Sequence, residues 1–295
     1  MFNFMLLILI LGIAAFIWAA WIEPRRYVIR RYDVQLANLK APLVAVAIGD
    51  LQPNSFHWPA KRLNSVFADV SRNETPDLTF WLGDYYNGHT GASGNYLHKH
   101  PKVKAWVEQN FVDMPEIAEA MAQLNGRLGS YAVLGNHDWA WSGEETKAQL
   151  ESRGIKVLQD DVVDVIDPAD GQKIQVLGYE DISSYRTPNY EEAHKLLDDK
   201  AAQVALSHSP DAFPHALGGP ALMLAGHTHG GQVRIPFYGA LVLPIEYPNY
   251  DRGWFAERHR RLFVTVGLGT SLPPFRFLCP PEIVVLNLIP ALEEE

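Results

Sequence analysis

The stretch PLVAVAIGDLQPN, residues 42–54, decides the fold of this chain. An unbroken apolar run that ends at a glycine is typical of a β-strand with both faces buried. Strands of this kind occur in α/β proteins, where helices or a second sheet cover each face. A carboxylate, Asp50, follows the run directly, and the amide Gln52 stands two residues later. The stretch therefore indicates a buried sheet with polar side chains at the end of one strand.

Four more apolar runs of strand length end in the same way. The five endings are VAVAIGD50, TFWLGD84, YAVLGNHD138, VALSH208 and LMLAGHTH229. Segments with apolar residues at helical spacing separate them, which predicts βαβ units and a largely buried sheet. These predicted helices are residues 61–70, 115–124, 144–152 and 190–197. Further strands are predicted at residues 156–166, 173–177, 232–235, 262–266 and 282–288. Two sheets packed face to face, with helices outside, would use all of these segments.

The polar strand endings predict a metal site. In open α/β sheets the carboxyl ends of the strands form the crevice that binds ligands, so the five endings would meet there. They would bring together Asp50, Asp84, Asn136, His137, His208, His227 and His229. Carboxylates, an amide oxygen and imidazoles suit a pair of divalent ions such as Mn, Fe, Zn or Co better than calcium, which prefers oxygen ligands alone. Asp84 is the natural bridge between two ions, and the preceding glycines let the backbone turn sharply.

Each of these residues also has an ordinary structural interpretation. An aspartate at a strand end is commonly a turn or helix cap, and a buried histidine is commonly a hydrogen-bonded core residue. For His208 alone the core role would be the better interpretation. Capping does not explain the two histidines of GHTH, residues 226–229, so the five endings together favour the metal site. The side chains of Tyr85, Tyr86 and Trp139 fit the lining of a pocket and ordinary packing equally well.

Composition limits the class of protein. The chain has 295 residues, of which 47% are hydrophobic, enough for a single α/β domain of roughly 250 residues. A formal charge of -9 argues against a nucleic-acid-binding protein, which needs a basic surface. The single cysteine, Cys279, excludes an intramolecular disulfide and a zinc site built from cysteines.

Residues 2–22 predict a transmembrane anchor. The only polar residue among them is Asn3, and a helix of this length spans the roughly 30 Å hydrocarbon layer. A cleaved signal peptide would need positive charge before the run and small residues at its end, whereas Trp18 and Trp21 stand there and suit the membrane interface.

Arginines at positions 25, 26, 30 and 31 follow the apolar run. This basic flank predicts a single-pass protein of the cell inner membrane with its catalytic domain in the cytoplasm. The domain organisation expected is an anchor at residues 1–22, a juxtamembrane linker at 23–41 and an enzyme domain at 42–295.

The motifs GD50, GD84, GNHD138, SH208 and GHTHGGQ232, in that order, resemble those of the calcineurin-like metallophosphoesterases over about residues 42–290. The later stretches GHTHGGQVRIP236, VGLGTSLPPFRF277 and PPEI283 resemble the bacterial branch of membrane-associated phosphodiesterases and lipid-precursor pyrophosphatases. The resemblance implies a four-layer α/β/β/α sandwich of two mixed sheets with two metal ions. It implies Asp50, Asp84 and His229 as ligands of the first ion. It implies Asp84, Asn136, His208 and His227 as ligands of the second, with His137 facing the substrate phosphoryl group.

Gln52 departs from the family pattern, whose first motif is most often Asp-x-His. Its amide oxygen could coordinate the first ion directly, coordinate it through water, or leave that ion labile. If Gln52 points away, His57, His89 or water would complete the shell. We expect a working enzyme with a weakened or retuned first site, because the other motif residues are intact. The alternatives are an inactive membrane-tethered scaffold of the same fold, and a dinuclear hydrolase of a bond outside phosphate chemistry.

The expected reaction is hydrolysis of a phosphodiester, phosphomonoester or pyrophosphate bond by hydroxide held between two ions. His137 would stabilise the charge on phosphorus or protonate the leaving group. The sequence has no GxSxG motif and no Walker loop, so neither a serine hydrolase nor a nucleotide-driven motor is supported.

The substrate is expected to be a phosphorylated small molecule or lipid, and a tether near the bilayer favours a lipid-linked one. Residues 85–104 could cap the site or form a solvated loop, and Arg186 and Arg234 are candidates for phosphate contact. Asp138 could orient the His137 imidazole, cap a helix or lie on the surface.

Overall fold

The computed structural model describes residues 2–87 and 97–291, in which two six-stranded sheets are flanked by helices. The helices are α1 (Phe2–Ile17), α2 (Ala60–Glu74), α3 (Pro101–Glu108), α4 (Met114–Met121), α5 (Asn136–Trp141), α6 (Gly143–Glu151), α7 (Tyr190–His194) and α8 (Ala212–His215). The first seven strands are β1 (Val28–Leu36), β2 (Leu43–Ile48), β3 (Leu78–Trp81), β4 (Ser130–Ala132), β5 (Ile155–Val157), β6 (Asp161–Ile166) and β7 (Lys173–Gly178). The remaining strands are β8 (Ala202–Leu206), β9 (Leu222–Ala225), β10 (Arg234–Ile235), β11 (Gly239–Ala240), β12 (Gly253–Glu257), β13 (Arg260–Val264) and β14 (Glu282–Pro290).

Both large sheets are mixed. The first has the order β1-β14-β2-β3-β4-β5, and all its neighbours are parallel except β14 and β2, which are antiparallel. The second has the order β12-β13-β9-β8-β7-β6, with a parallel centre and an antiparallel strand at each edge. The central parallel strands of both sheets are those whose endings carry the predicted ligands.

The two sheets pack face to face, and helices cover their outer faces. Strand β2 shows why, because its side chains alternate between two separate cores. Ala45 and Ala47 contribute to the core between the sheets, while Val46 and Ile48 pack into the core beneath α2, α4 and α6. A third core lies on the other side of the second sheet, where Phe213 of α8 packs. The predicted four-layer α/β/β/α arrangement is confirmed.

Two predicted strands differ from the structure. The segment 156–166 is not one strand, because its first part lies in β5 of the first sheet and its second part in β6 of the second. Asp160, in the left-handed region with φ 53°, turns the chain between them, and its carboxylate accepts the N–H groups of Glu180 and Asn189. The segment 232–235 contributes only β10, which pairs with β11 outside both large sheets.

The N-terminal segment contains one helix that is long and apolar enough to cross a membrane. It runs from Asn3 to Arg25, and its most apolar 18-residue window has a mean hydropathy of 2.6 and is not buried against the rest of the protein. The last part is a π-helical turn followed by a 3-10 turn. Inside the expected linker, residues 23–41, strand β1 forms and pairs along its whole length with β14.

The end of this helix is bound to the domain through residues 275–279, here called the docking segment. The carbonyl of Ala19 accepts the backbone N–H of Arg276 at 2.9 Å. The buried carboxylate of Glu23 accepts the backbone N–H of Cys279. The helix is therefore hydrogen-bonded to the loop that precedes β14.

His57 lies at the same junction between the helix and the domain. Its Nε2 is 3.2 Å from the carbonyl of Pro274, and its ring meets the edge of Trp21. Its Nδ1 is buried and has no hydrogen-bond partner among the described residues. Burial lowers the pKa of His57 to about 4, so the ring is neutral at physiological pH.

We expect the protein to lose stability as the pH falls from 6.5 through about 4, because folded His57 binds a proton less readily than in the unfolded chain. In His57→Gln this pH-dependent loss should be smaller by about 1–2 kcal/mol. Thermal unfolding of both proteins in detergent across this range measures the difference, and substitution of the exposed His259 by Gln is the control. Equal pH dependence in wild type and His57→Gln would contradict the prediction.

Candidate metal centre

The strand-end carboxylates and imidazoles lie in one buried cluster at the carboxyl ends of the central strands. Asp50, Asp84 and His229 form one group of possible metal ligands, and Asp84, His208 and His227 form a second. Within each group the donor atoms all lie within 4.8 Å of one another. Asp84 belongs to both groups, as expected for a bridging ligand.

Two imidazoles are oriented by backbone carbonyls. The Nδ1 of His208 is 2.8 Å from the carbonyl of Leu82, and the Nε2 of His227 is 2.9 Å from that of Pro244. The remaining two ring nitrogens lie 3.1 Å apart, and the Oδ1 of Asn136 is 3.1 Å from the Nε2 of His208. Without a proton, these two ring nitrogens and the amide oxygen would all be hydrogen-bond acceptors that face one another. A proton or a metal cation between them removes this repulsion. A ligand histidine in metal sites typically has its second nitrogen bonded to a carbonyl or carboxylate in this way.

Protonation states in the cluster also favour a cation. Although burial alone raises the pKa of Asp84, the imidazoles of His208 and His137 lower it below its usual range, so the carboxylate is ionised. Burial lowers the pKa of His229, so its ring is neutral as metal binding requires. Burial raises the pKa of Asp50 to about 7. Although burial alone would lower it, the Asp84 carboxylate raises the pKa of His208. The buried charge of Asp84 is therefore offset by a proton on His208, and a divalent cation would replace that proton.

The backbone at the cluster is strained. Five of the predicted ligands have positive φ angles, in the left-handed region that residues other than glycine rarely adopt. They are Asp50 (51°), Gln52 (27°), Asp84 (57°), His227 (69°) and His229 (49°). Strain of this kind persists only where surrounding contacts impose it, and it is concentrated at functional sites.

Glycine backbone packs tightly against ligand side chains of the cluster, as Gly135 and Gly83 show. A Cβ on Gly135 would lie 2.3 Å from the Oδ1 of Asp84, and one on Gly83 would lie 2.6 Å from the Nδ1 of His208. Any larger residue at either position would displace a side chain of the cluster.

Gln52 points into the cluster. Its Nε2 donates to the Oδ2 of Asp84 at 3.0 Å, while its buried Oε1 has no hydrogen-bond partner among the described residues. The unpartnered oxygen is a suitable donor to a cation beside Asp84, and the residues present therefore fit a divalent metal ion. His57 is bound to Pro274 at the helix junction, and His89 lies outside the described residues.

His137 lies beside Asp84 at the rim of the cluster. Its backbone N–H donates to the Oδ1 of Asp84 at 2.8 Å, and its ring Nε2 is 3.9 Å from the Oδ2. The ring Nδ1 has no hydrogen-bond partner within residues 2–87 and 97–291. The ring therefore has a nitrogen without a hydrogen-bond partner beside the metal-ligand groups.

Asp138 holds the loop that carries Asp84. Its Oδ2 accepts the backbone N–H groups of Asp84 and Gly135 at 2.8 and 2.9 Å. Its Oδ1 accepts those of Tyr85 and Tyr86 at 2.9 and 3.1 Å. Burial and the nearby Asp84 carboxylate raise the pKa of Asp138 to about 7. Of the roles considered for Asp138, the structure shows a cap for α5 that also fixes the Asp84 loop.

Sequence reasoning missed Arg276. Its guanidinium is fully buried and donates to backbone carbonyls, including those of Val266, Gly269 and Cys279. The N–H of Gly269 in turn donates to the carbonyl of Asp50 at 2.7 Å. The available signal was an isolated arginine inside the apolar, proline-rich stretch 272–280.

The arginines considered for phosphate contact already have partners. Arg186 lies 2.7 Å from Glu180 and stacks on the ring of Trp139, and Arg234 lies 2.8 Å from Asp251. Neither side chain is bound to the metal-ligand groups described above.

Of the aromatic residues, Tyr85 is a core residue whose hydroxyl donates to the carbonyl of Val133. Tyr86 is only partly buried and packs against Phe111 and Trp141. Within the expected capping segment 85–104, residues 88–96 lie outside the described part of the chain.

Comparison with known families gives a match over most of the domain. The model of the family described as calcineurin-like phosphoesterase matches residues 44–231. The match begins within β2 and extends through the GHTHGG turn, so it contains every residue of the two ligand groups.

Three curated relatives illustrate the range of similar proteins. An uncharacterized metallophosphoesterase, YkuE, of Bacillus subtilis is 33% identical over 57% of this chain and 59% of its own length. The phosphodiesterase YaeI of Escherichia coli is 28% identical over 84% of this chain and 83% of its own length. The UDP-2,3-diacylglucosamine pyrophosphatase LpxG of Chlamydia trachomatis is 24% identical over 96% of this chain and 95% of its own length.

We expect Asp138→Asn to lower the free energy of unfolding by about 2–4 kcal/mol, because an amide NH₂ group would replace one acceptor oxygen and face two backbone donors. Unfolding of the full chain in detergent measures the change. Asp113→Asn is the matched control, since Asp113 is exposed at the start of α4 and makes no side-chain cap bond. A variant within about 0.5 kcal/mol of wild type would show that the four N–H contacts are not a stabilising cap.

Proposed function

This chain belongs to the calcineurin-like phosphoesterase family, and on that basis we propose that it is a membrane-anchored, metal-dependent phosphoric ester hydrolase with two divalent transition-metal ions. The bond hydrolysed is a phosphodiester, phosphomonoester or pyrophosphate. The observation that carries the proposal is the pair of buried ligand groups that share Asp84. Two metal ions bound next to each other commonly share a carboxylate ligand, whereas two separate metal sites would not need to share one.

The ligand assignment follows the two groups. Asp50, Asp84 and His229 would hold the first ion, with the unpartnered oxygen of Gln52 beside them. The second ion would be held by Asp84, Asn136, His208 and His227. When bound, divalent ions lower the pKa of a water molecule and offset the charge of phosphoryl oxygens.

His137 is proposed to act on the substrate itself. Its ring lies at the rim of the cluster, and its Nδ1 is unpartnered among the described residues. As an imidazolium it would stabilise a phosphoryl oxygen, and it would then transfer its proton to the leaving-group oxygen. Its backbone bond to Asp84 fixes the position of this ring relative to the metal ligands.

The relatives support a diester or pyrophosphate linked to a lipid as the substrate class. One relative is named a phosphodiesterase and another a pyrophosphatase of UDP-2,3-diacylglucosamine. The apolar N-terminal helix, bound directly to the docking segment, would hold the crevice close to a bilayer. The arginines after the apolar run support placement of the domain on the cytoplasmic side of the inner membrane.

The proposed activity is tested with the full chain in detergent and bis(p-nitrophenyl) phosphate as the substrate, with added Mn. Asp84→Asn should reduce turnover by more than about 100-fold, because even residues that only orient metal ligands typically contribute 10–100-fold. Asp69→Asn makes the same chemical change on the exposed face of α2, where Asp69 pairs with Arg72, and should leave turnover unchanged.

The wild-type assay separates the alternatives. No hydrolysis with any of Mn, Fe, Zn or Co would favour the inactive scaffold, and hydrolysis of amide but not phosphate esters would favour the other hydrolase. Full activity of Asp84→Asn would refute a bridging role for this carboxylate.

The second prediction of this proposal concerns Gln52. An imidazole binds first-row ions more tightly than a neutral amide, so Gln52→His should lower the half-saturating Mn concentration roughly tenfold. The maximal rate need not rise, because a more basic ligand makes the ion a weaker Lewis acid. Metal titration of binding and of activity in dialysed protein measures both effects. Gln123→His on the surface after α4 is the control, and titration curves equal to wild type for Gln52→His would show that Gln52 is not a ligand.

A further inference from the structure

Residues 235–245, here called the apolar hairpin, lie exposed beside the metal cluster. The hairpin contains β11 and the end of β10, and it carries no charged side chain. Phe237 is fully exposed, and Tyr238 and Val242 are 74% and 75% exposed. Contiguous exposed apolar surface marks a contact with another molecule or with a membrane. Apart from the carbonyl of Pro244, which orients His227, the proposed chemistry gives this segment no role.

Both ends of the apolar hairpin are fixed at the metal cluster. It follows closely after His229, and the carbonyl of Pro244 near its end accepts the ring N–H of His227 at 2.9 Å. Just beyond it, the carboxylate of Asp211 accepts the backbone N–H groups of Glu246 and Tyr247. Whatever the hairpin contacts therefore lies at a fixed position relative to the predicted metal ions.

The base of the hairpin is also joined to the membrane helix. Phe277 of the docking segment donates its N–H to the carbonyl of Gln232 and accepts the N–H of Arg234, each at 2.9 Å. The adjacent Arg276 donates to the carbonyl of Ala19 in the apolar helix. The docking segment thus lies between the hairpin and the helix, and Leu278 within it adds another exposed apolar side chain.

We propose that the apolar hairpin inserts into the interface of the bilayer that holds the N-terminal helix, so that the domain has a second membrane contact next to its metal cluster. Continuity with the helix is the reason to choose a bilayer as the partner. Tyr238 is the amphipathic kind of aromatic residue that is enriched at membrane interfaces. A segment that lies in the interface buries its apolar side roughly 5–10 Å deep, which suits a hairpin of this size.

The inference rests on the membrane anchoring in the proposed function and makes its substrate class more specific. A crevice whose border is embedded in the interface receives the phosphate of a membrane-resident lipid at headgroup depth. The hairpin contact favours such a substrate over a free metabolite.

The test uses the full chain reconstituted in vesicles of phosphatidylethanolamine and phosphatidylglycerol. Phe237→Cys is labelled with the environment-sensitive fluorophore NBD, and wild-type protein serves as the labelling blank because Cys279 is buried. The matched control is Leu217→Cys, an apolar residue that is 65% exposed and precedes β9, at the end opposite to the cluster. Doxyl groups on the lipid acyl chains quench a fluorophore that reaches them.

NBD at position 237 should emit at shorter wavelength and lose at least about half of its fluorescence with doxyl lipids, while NBD at position 217 should change little. Equal, weak quenching at both positions would overturn the proposal. A change at position 237 that occurs without doxyl lipids and depends on the protein-to-lipid ratio would also overturn it, in favour of contact with a second copy.

Alkaline washing of the same vesicles reports on the helix alone. Retention of the protein without quenching at position 237 would reject the hairpin contact and leave the anchor intact. Release of the protein by the wash, when NBD at position 237 was quenched before the wash, would reject the anchor and support the hairpin contact.

Discussion

The position of the Asp84 carboxylate is the constraint on which the rest of the structure depends. Asp84 contributes to both ligand groups, accepts the amide of Gln52 and the N–H of His137, and occupies a strained backbone conformation. Its conformation is maintained by Asp138, which binds the N–H of Asp84 and of the two residues after it. Three buried carboxylates in one place would be strongly unfavourable without such donors, nearby imidazoles and cations. The two sheets supply the rigid frame that holds these groups together.

Much of the fold and cluster could be predicted because both follow from local sequence. An apolar run that ends in glycine and a ligand shows where a buried strand ends, and parallel strands place their carboxyl ends at one edge. This reasoning placed Asp50, Asp84, His208 and His227 near one another, as the structure does. It could also identify Gln52 as unusual, since the amide stands where the pattern has an imidazole.

Features that depend on tertiary partners could not be predicted. Segment 156–166 is divided between the two sheets. The division occurs at Asp160, whose left-handed backbone turns the chain and whose side chain accepts backbone N–H groups that are distant in sequence. The role of Asp138 likewise depends on a loop far away in sequence. Strand β1 looks like a linker because three of its residues are charged, and it becomes a strand only by pairing with β14. Sequence periodicity contains no information on any of these partners.

The short connection between the N-terminal helix and β1 has a kinetic consequence. Strand β1 begins at Val28, closely after the helix ends, and the docking segment is hydrogen-bonded to Ala19 and Glu23 near the end of the helix. No flexible linker therefore separates the domain from its helix, and the contacts fix the orientation of one relative to the other. If the helix spans a bilayer, as proposed, and the substrate is dissolved in that bilayer, the encounter would be a search by lateral diffusion in two dimensions. The concentration that sets the rate is then the surface density of that lipid, and diluting it with inert lipid lowers the rate even when its bulk concentration is constant.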